Sequence, residues 1–257
     1  MPVALGTLTL SLLALSSPIA AQDDGEPVLR VPFGVGERLE YDVKFGKIKV
    51  GSGSMEVADV QQVRGRETWH TVFQVRGGTF FYRVNDKYES WIDRRTGNSL
   101  RFHQDLNEGR RDVERNFEIF PERAVFIEGG EDTTQTSVRN PLDDGSFLYF
   151  LRTIPLAVGE TYTFERYFRP DRNPVTIKVL RKERIRVPAG DFDAIVVQPI
   201  IKTTGIFSEN GNAEIWLSDD DHRIMLQMKS GLSFGSLNLY LKSYRPAQPG
   251  ATTAGRQ

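Results

Sequence analysis

What most constrains this chain is a period-two alternation of apolar and polar side chains, repeated along most of its length. Leu39, Tyr41, Val43 and Phe45 alternate with Glu40, Asp42 and Lys44. Val175, Ile177 and Val179 alternate with Thr176 and Lys178, and Leu237, Leu239 and Leu241 with Ser236, Asn238 and Lys242. Neighbouring side chains of a strand point to opposite faces, so each run offers one face to a core and the other to water, as in antiparallel sheet. Gly51 to Gly53, Gly77-Gly78, Pro121-Glu122-Arg123, Gly129-Gly130 and Asn210-Gly211-Asn212 punctuate the runs as turns. Roughly a dozen strands follow. The expected fold is mainly β, a large curved antiparallel sheet or open barrel.

One stretch of the mature chain breaks the pattern. Pro141 to Glu160 holds Phe147, Leu148, Tyr149, Phe150, Leu151 and Ile154, apolar almost all round. Asp143 or Asp144 is placed to cap a helix start, and Pro155 lacks the N–H that a helix needs, so a helix is expected over 143–154. With no polar face it should be wedged against the sheet. A carboxylate at Phe150 would then be buried unpaired, and Phe150→Asp is expected to destabilise the fold strongly.

The segments flanking this helix resemble each other. Val35-Gly36-Glu37-Arg38-Leu39-Glu40-Tyr41 resembles Val158-Gly159-Glu160-Thr161-Tyr162-Thr163-Phe164, and Glu89-Ser90-Trp91-Ile92-Asp93 resembles Glu214-Ile215-Trp216-Leu217-Ser218. Gly65 to Gln74 likewise matches Gly190 to Gln198. This suggests two copies of one β-meander, 33–140 and 156–245, within a single domain over 22–245. The tail 246–257 has no apolar pattern and is expected to be disordered.

Residues 1–21 carry no charge and have an apolar core ending in Ser16, Ser17, Pro18, Ile19, Ala20, Ala21. That is the pattern of a secretory signal peptide cleaved after Ala21, although the usual leading positive charge is missing. No other stretch reaches the ~18 apolar residues of a membrane span. The product is expected to be exported and soluble, in the periplasm or outside the cell. With no cysteine, stability must come from packing alone. A net charge of −1 argues against nucleic acid as the partner.

Four runs stand out: Phe33-Gly34-Val35-Gly36-Glu37-Arg38-Leu39-Glu40-Tyr41-Asp42-Val43 with Gly46 to Gly51, Phe147 to Arg152, Val187-Pro188-Ala189-Gly190-Asp191-Phe192, and Trp216-Leu217-Ser218-Asp219-Asp220. Together they resemble the domain-of-unknown-function family 3108. Ile224-Met225 departs from the pattern, which has a proline there. The resemblance spans about residues 30–245. It implies an exported bacterial β protein of unassigned activity and brings no catalytic residues.

Motifs for chemistry are sparse. Gly231-Leu232-Ser233-Phe234-Gly235 has the G-x-S-x-G form of a hydrolase nucleophile, but a strand-like run follows and no histidine lies after His222. His70, His103 and His222 lie far apart without metal-ligand spacing. Asp219-Asp220-Asp221 lacks the spaced ligands of a calcium loop. No catalytic residue, metal or cofactor is therefore expected. What is enriched is aromatic surface. Phe80, Tyr82, Trp91, Phe147, Phe150 and Trp216 are the candidates for lining a concavity that takes an apolar or lipid-like ligand. The alternative is an envelope scaffold that meets an anionic polymer or a protein partner through Arg166, Arg169, Arg181 and Arg184. The same basic run would also suit the solvated face of an edge strand. An unrecognised hydrolase is the third reading.

Overall fold

A computed structural model describes residues 28–78, 83–109, 111–130, 133–202, 213–232 and 235–248. The expected leader, Phe80, Tyr82 and nearly all of the expected tail lie outside the described residues. The alternating runs form the strands β1 (Arg38–Phe45), β2 (Ile48–Val63), β3 (Arg66–Gly78), β4 (Arg83–Asp93), β5 (Ser99–Glu108), β6 (Arg111–Phe120), β7 (Val125–Glu128) and β8 (Gln135–Thr136). After the helix come β9 (Thr161–Phe164), β10 (Val175–Val187), β11 (Gly190–Ile200), β12 (Glu214–Ser218), β13 (Met225–Leu232) and β14 (Gly235–Arg245). They make one antiparallel 14-stranded sheet in the order β8-β7-β6-β5-β4-β3-β2-β1-β14-β13-β12-β11-β10-β9.

That order is two meanders joined at the chain's first and last strands, with Arg38 opposite Arg245 and Phe45 opposite Leu237. The strands β1 to β6 and β9 to β14 follow each other at similar spacing: β1 and β9 start at 38 and 161, β3 and β11 at 66 and 190, β6 and β14 at 111 and 235. The sheet curls but does not close, because β8 and β9 do not pair. The segments 137–142, before the helix, and 165–168, after β9, meet across the gap instead. Leu142 N–H donates to the Arg166 carbonyl at 2.6 Å, Phe168 N–H to the Leu142 carbonyl at 2.9 Å, and Ser137 Oγ to the Phe168 carbonyl at 2.7 Å.

The helix α1 (Asp144–Phe150) lies between β8 and β9 in the chain and is shorter than the expected 143–154. Asp143 is its cap, accepting from Gly145 and Ser146 N–H, while Ser146 Oγ accepts in return from Asp143 N–H. Beyond Phe150 the bonds tighten: Arg152 N–H reaches the Tyr149 carbonyl and Thr153 N–H the Phe150 carbonyl. The helix thus ends before Pro155 can terminate it. Gly145 permits its close approach to β4, since a Cβ there would stand 2.4 Å from Ser90 Oγ.

Phe147 is buried, as the apolar run requires, but Phe150 is only half-buried. Its ring packs edge-on against Phe164 with the Arg166 guanidinium 4.7 Å from its centre. A carboxylate at 150 would meet that cation, so the severe penalty expected of Phe150→Asp belongs to Phe147→Asp instead. The basic run is also placed differently from the edge-strand reading. β10 pairs on both sides, and the short β9 forms the edge.

Candidate functional site

The inner face of the sheet is filled by side chains. Across β3 to β6, Phe73, Tyr88, Phe102 and Phe117 form an aromatic ladder with neighbouring ring centres 5.8–6.3 Å apart. Phe168, from the segment that fills the gap, closes over it at 5.1 Å from Phe117 and 5.2 Å from Phe126. In the second meander Val175, Ile177, Ile195, Val197, Ile215, Leu217, Met228 and Leu239 are buried against one another. A ligand-sized void would leave such residues accessible surface, and they have almost none.

Two buried polar networks tie the helix into this core. At its start, the Asp143 carboxylate accepts from Ser90 Oγ at 2.6 Å, from Ser99 Oγ, and from Gly145 and Ser146 N–H at 2.8 Å. Asp144 accepts from Tyr167 Oη at 2.7 Å and Gln104 Nε2 at 3.0 Å. Burial pushes the Asp143 carboxyl up to about 6 despite its donors, from an ordinary 3.8, and raises Asp144 as well. Between those two values the folded state holds a proton that the unfolded chain has released. The contribution to stability is therefore full below about pH 4 and is lost as pH rises through about 6. Denaturant unfolding across this range should show wild-type stability falling with pH more steeply than that of Asp143→Asn, and parallel curves would refute the assignment.

At the helix end, Arg152 forms a two-pronged pair with Glu37 at 2.6 and 3.0 Å, and both side chains are 1% exposed. Arg152 also donates to the carbonyls of Pro32 and His222, and its guanidinium lies 5.4 Å from the Phe33 ring. Burial lowers its proton affinity, but Glu37's hydrogen bond and charge outweigh that and hold its pKa above the ordinary value. Both residues stand in the family-like runs, yet nothing in their sequence spacing marks them as partners.

The outer face carries the site residues in unexpected places. Trp91 and Trp216 point away from the helix, because Ser90 and Leu217, their neighbours in the chain, take the inward positions. Trp91 stacks on His70 at 4.7 Å and donates to Gln61 Oε1, with Arg101 over its ring. Trp216 donates to Glu183 Oε1 at 2.6 Å beneath Arg181 and Lys229. Neither tryptophan lines the concavity. Phe147 is core, Phe150 faces Arg166, and Phe80 and Tyr82 lie outside the described residues.

The four candidate arginines are engaged within the molecule. Arg166 donates to Asn140 O and Asn98 Oδ1, and burial lowers it to about 10. Arg169 pairs with Glu128, Arg181 with Glu183 and Glu214, and Arg184 with Asp193. A polyanion would have to displace those carboxylates, of which Glu128, Glu214 and Asp193 come from other strands, where sequence spacing does not show them. The histidines are partly assembled: Glu89 accepts from His70 at 3.2 Å and His103 at 3.1 Å. Burial raises Glu89, but Lys87, His103 and His70 outweigh it and hold it below the ordinary carboxylate range. Gly231 and Leu232 end β13 and Gly235 opens β14, so the motif links strand to strand where a nucleophile turn needs strand to helix; Ser233 and Phe234 themselves lie outside the described residues.

What sequence reasoning missed is an open trough of about 600 Å³ at the end of the strands where β1 begins. Val28, Leu29, Val31, Phe33, Trp69 and Arg94 line it. Leu29 N–H donates to the Arg94 carbonyl, which lays the entering chain along the rim. Val28 and Leu29 remain 43% and 40% exposed, while Phe33 packs edge-on against Trp69 at 5.2 Å. Arg94 spans the wall, with Nη1 on Glu67 at 2.7 Å and its guanidinium 5.8 Å from the Trp69 ring centre. Its buried Nε has no hydrogen-bond partner.

One solved structure shares this architecture. A β-barrel-like protein of the domain-of-unknown-function family 1849 from Brucella abortus superposes with a TM-score of 0.54 at 12% identity, over 85% of this chain and 100% of its own. A protein from Parabacteroides distasonis described as a candidate lipoprotein has a TM-score of 0.38 at 12% identity, over 84% and 98%. A hypothetical protein from Chlamydia trachomatis has 0.36 at 9%, over 87% and 93%. No curated protein matches the sequence. The model of one family does match, over residues 40–242, and the chain belongs to that family, Protein of unknown function (DUF3108).

Proposed function

We propose that this is an exported, non-catalytic protein of the cell envelope that binds an apolar, lipid-like molecule with an acidic head in the trough beside Trp69. The observation that carries the reading is the trough itself, where exposed aliphatics and an aromatic floor meet the Arg94 guanidinium. A cation on a largely apolar wall would attract an acidic head. The space suits an alkyl chain better than the filled inner face does. The buried carboxylates Asp143 and Asp144 serve as helix cap and tyrosine partner, which supports a binding role over a hydrolytic one. The two meanders would be copies of one unit, a reading supported by the matched strand spacing.

Native mass spectrometry with lipid extraction, on protein purified gently from the exported fraction, should find an acidic apolar species at fixed stoichiometry. Titration with laurate provides the direct check. Arg94→Gln and Leu29→Ser should each weaken binding about fivefold or more. Affinity unchanged in both variants would remove the trough as the site.

A further inference from the structure

The opposite end of the sheet carries a second surface. The β1–β2 hairpin turns through Phe45-Gly46-Lys47-Ile48, with Gly46 in the left-handed region at φ 57°. Ile48 is 70% exposed and Phe45 38%. Lys44 and Lys49 stand beside them on the outer face of the same hairpin and Lys47 lies in its turn, and no carboxylate occurs between Asp42 and Glu56. Lys44 stands directly opposite Lys49 across the two strands, a like-charge pairing that costs stability. Asp42 offsets only part of it, through Lys49 Nζ at 2.6 Å. The row continues across β14 and β13, where Asn238 lies between Lys44 and the exposed Lys229. Arg83, at the same end on β4, is exposed too. The other end of the sheet bears the exposed acidic turn Asp219-Asp220-Asp221.

We infer that this end docks on an anionic lipid bilayer. Phe45 and Ile48 enter the headgroup layer, and Lys44, Lys47, Lys49 and Lys229 lie against lipid phosphates. A tip with apolar side chains on one face and lysines on the other and in the turn matches such an interface, where each part contributes what the other lacks. Repulsion between Lys44 and Lys49 is relieved when phosphates come between them. At the far end Asp219 is already paired with Lys182, and Arg66, Arg94 and Arg223 stand there too, so the orientation rests on the apolar tip and its lysine row. The trough opens at that far end, so a molecule held there would face away from the membrane.

The test is co-sedimentation of the chain from Gln22 onward with phosphatidylcholine vesicles, with and without phosphatidylglycerol. Binding is expected to be about tenfold or more tighter with the anionic lipid and to weaken as salt rises. Phe45→Ser with Ile48→Ser should lose about tenfold, and Lys44→Glu with Lys47→Glu should remove the preference for phosphatidylglycerol. Ile48→Trp should show blue-shifted emission on those vesicles. These positions are at a hairpin tip, and unchanged thermal unfolding would confirm that the variants fold. Equal binding to both vesicle types, or binding untouched by the tip substitutions, overturns the proposal. Arg94→Gln should leave vesicle binding as it is; a loss there would instead place the lipid contact at the trough.

Discussion

Glu37→Ala is expected to cost the fold about 3–5 kcal/mol, the penalty of leaving a buried charge without its partner. Arg152 would stay in place, since it still donates to the Pro32 and His222 carbonyls, but two of its donors would face a void. The loss should be global. Glu37 precedes β1, Arg152 follows α1, and His222 sits in the β12–β13 turn, so one guanidinium joins both meanders to the helix. Arg152→Met should be similarly damaging, because it leaves Glu37 buried and Tyr244 Oη, 3.5 Å from Oε2, as a poor substitute partner. The double variant Glu37→Met with Arg152→Met should recover much of the loss, as buried ion pairs replaced by apolar groups of similar volume often do. Urea unfolding of the four proteins gives the cycle. Additive losses would show that the two side chains act separately.

Phe117→Ala should be as severe, about 3–5 kcal/mol, through a different mechanism. The Phe117 ring stacks on Phe102 at 5.8 Å and meets Phe126 and Phe168 edge-on at 6.2 and 5.1 Å. Removing it opens a cavity at the β6 end of the ladder, beneath Phe168, and neighbours held on rigid strands cannot collapse into it. Phe168 lies on the β9–β10 connection, which packs into the gap between β8 and β9, so its loss of support should loosen that segment first. Hydrogen exchange should then rise at Leu142 and Phe168 N–H, which bond across the gap. Thermal unfolding that stayed within a degree or two of wild type would mean that the inner face is less densely filled than the ring spacings indicate.

The strands and the helix were legible because their signals are local. Alternation such as Leu39-Glu40-Tyr41-Asp42-Val43 names its own inward face, and Asp143 caps the first turn two and three residues away. The matched runs around Trp91 and Trp216 fall on β4 and β12, while the two tryptophans, expected to line the concavity, stand on the outer face. A large aromatic reads as core by composition, but position in the pleat decides its face, and on the outer face arginine and lysine cover it. The helix end was misread for a related reason. Pro155 was the local stop signal, while Arg152 was drawn out of the helical turn by Glu37, 115 residues earlier in the chain.

The sequence alone, then, determined the β architecture, the capped helix and the family, since periodicity, capping and short motifs act over a few residues. Only the tertiary structure decided that the inner face is filled, that the basic run is already paired, and which surfaces stay open. Those outcomes depend on which strands lie side by side. The trough joins residues near 30 to Trp69 and Arg94, and the lysine row joins β2 and β1 to β13. Such neighbours are set by the curl of the whole sheet, and no spacing along the chain encodes them.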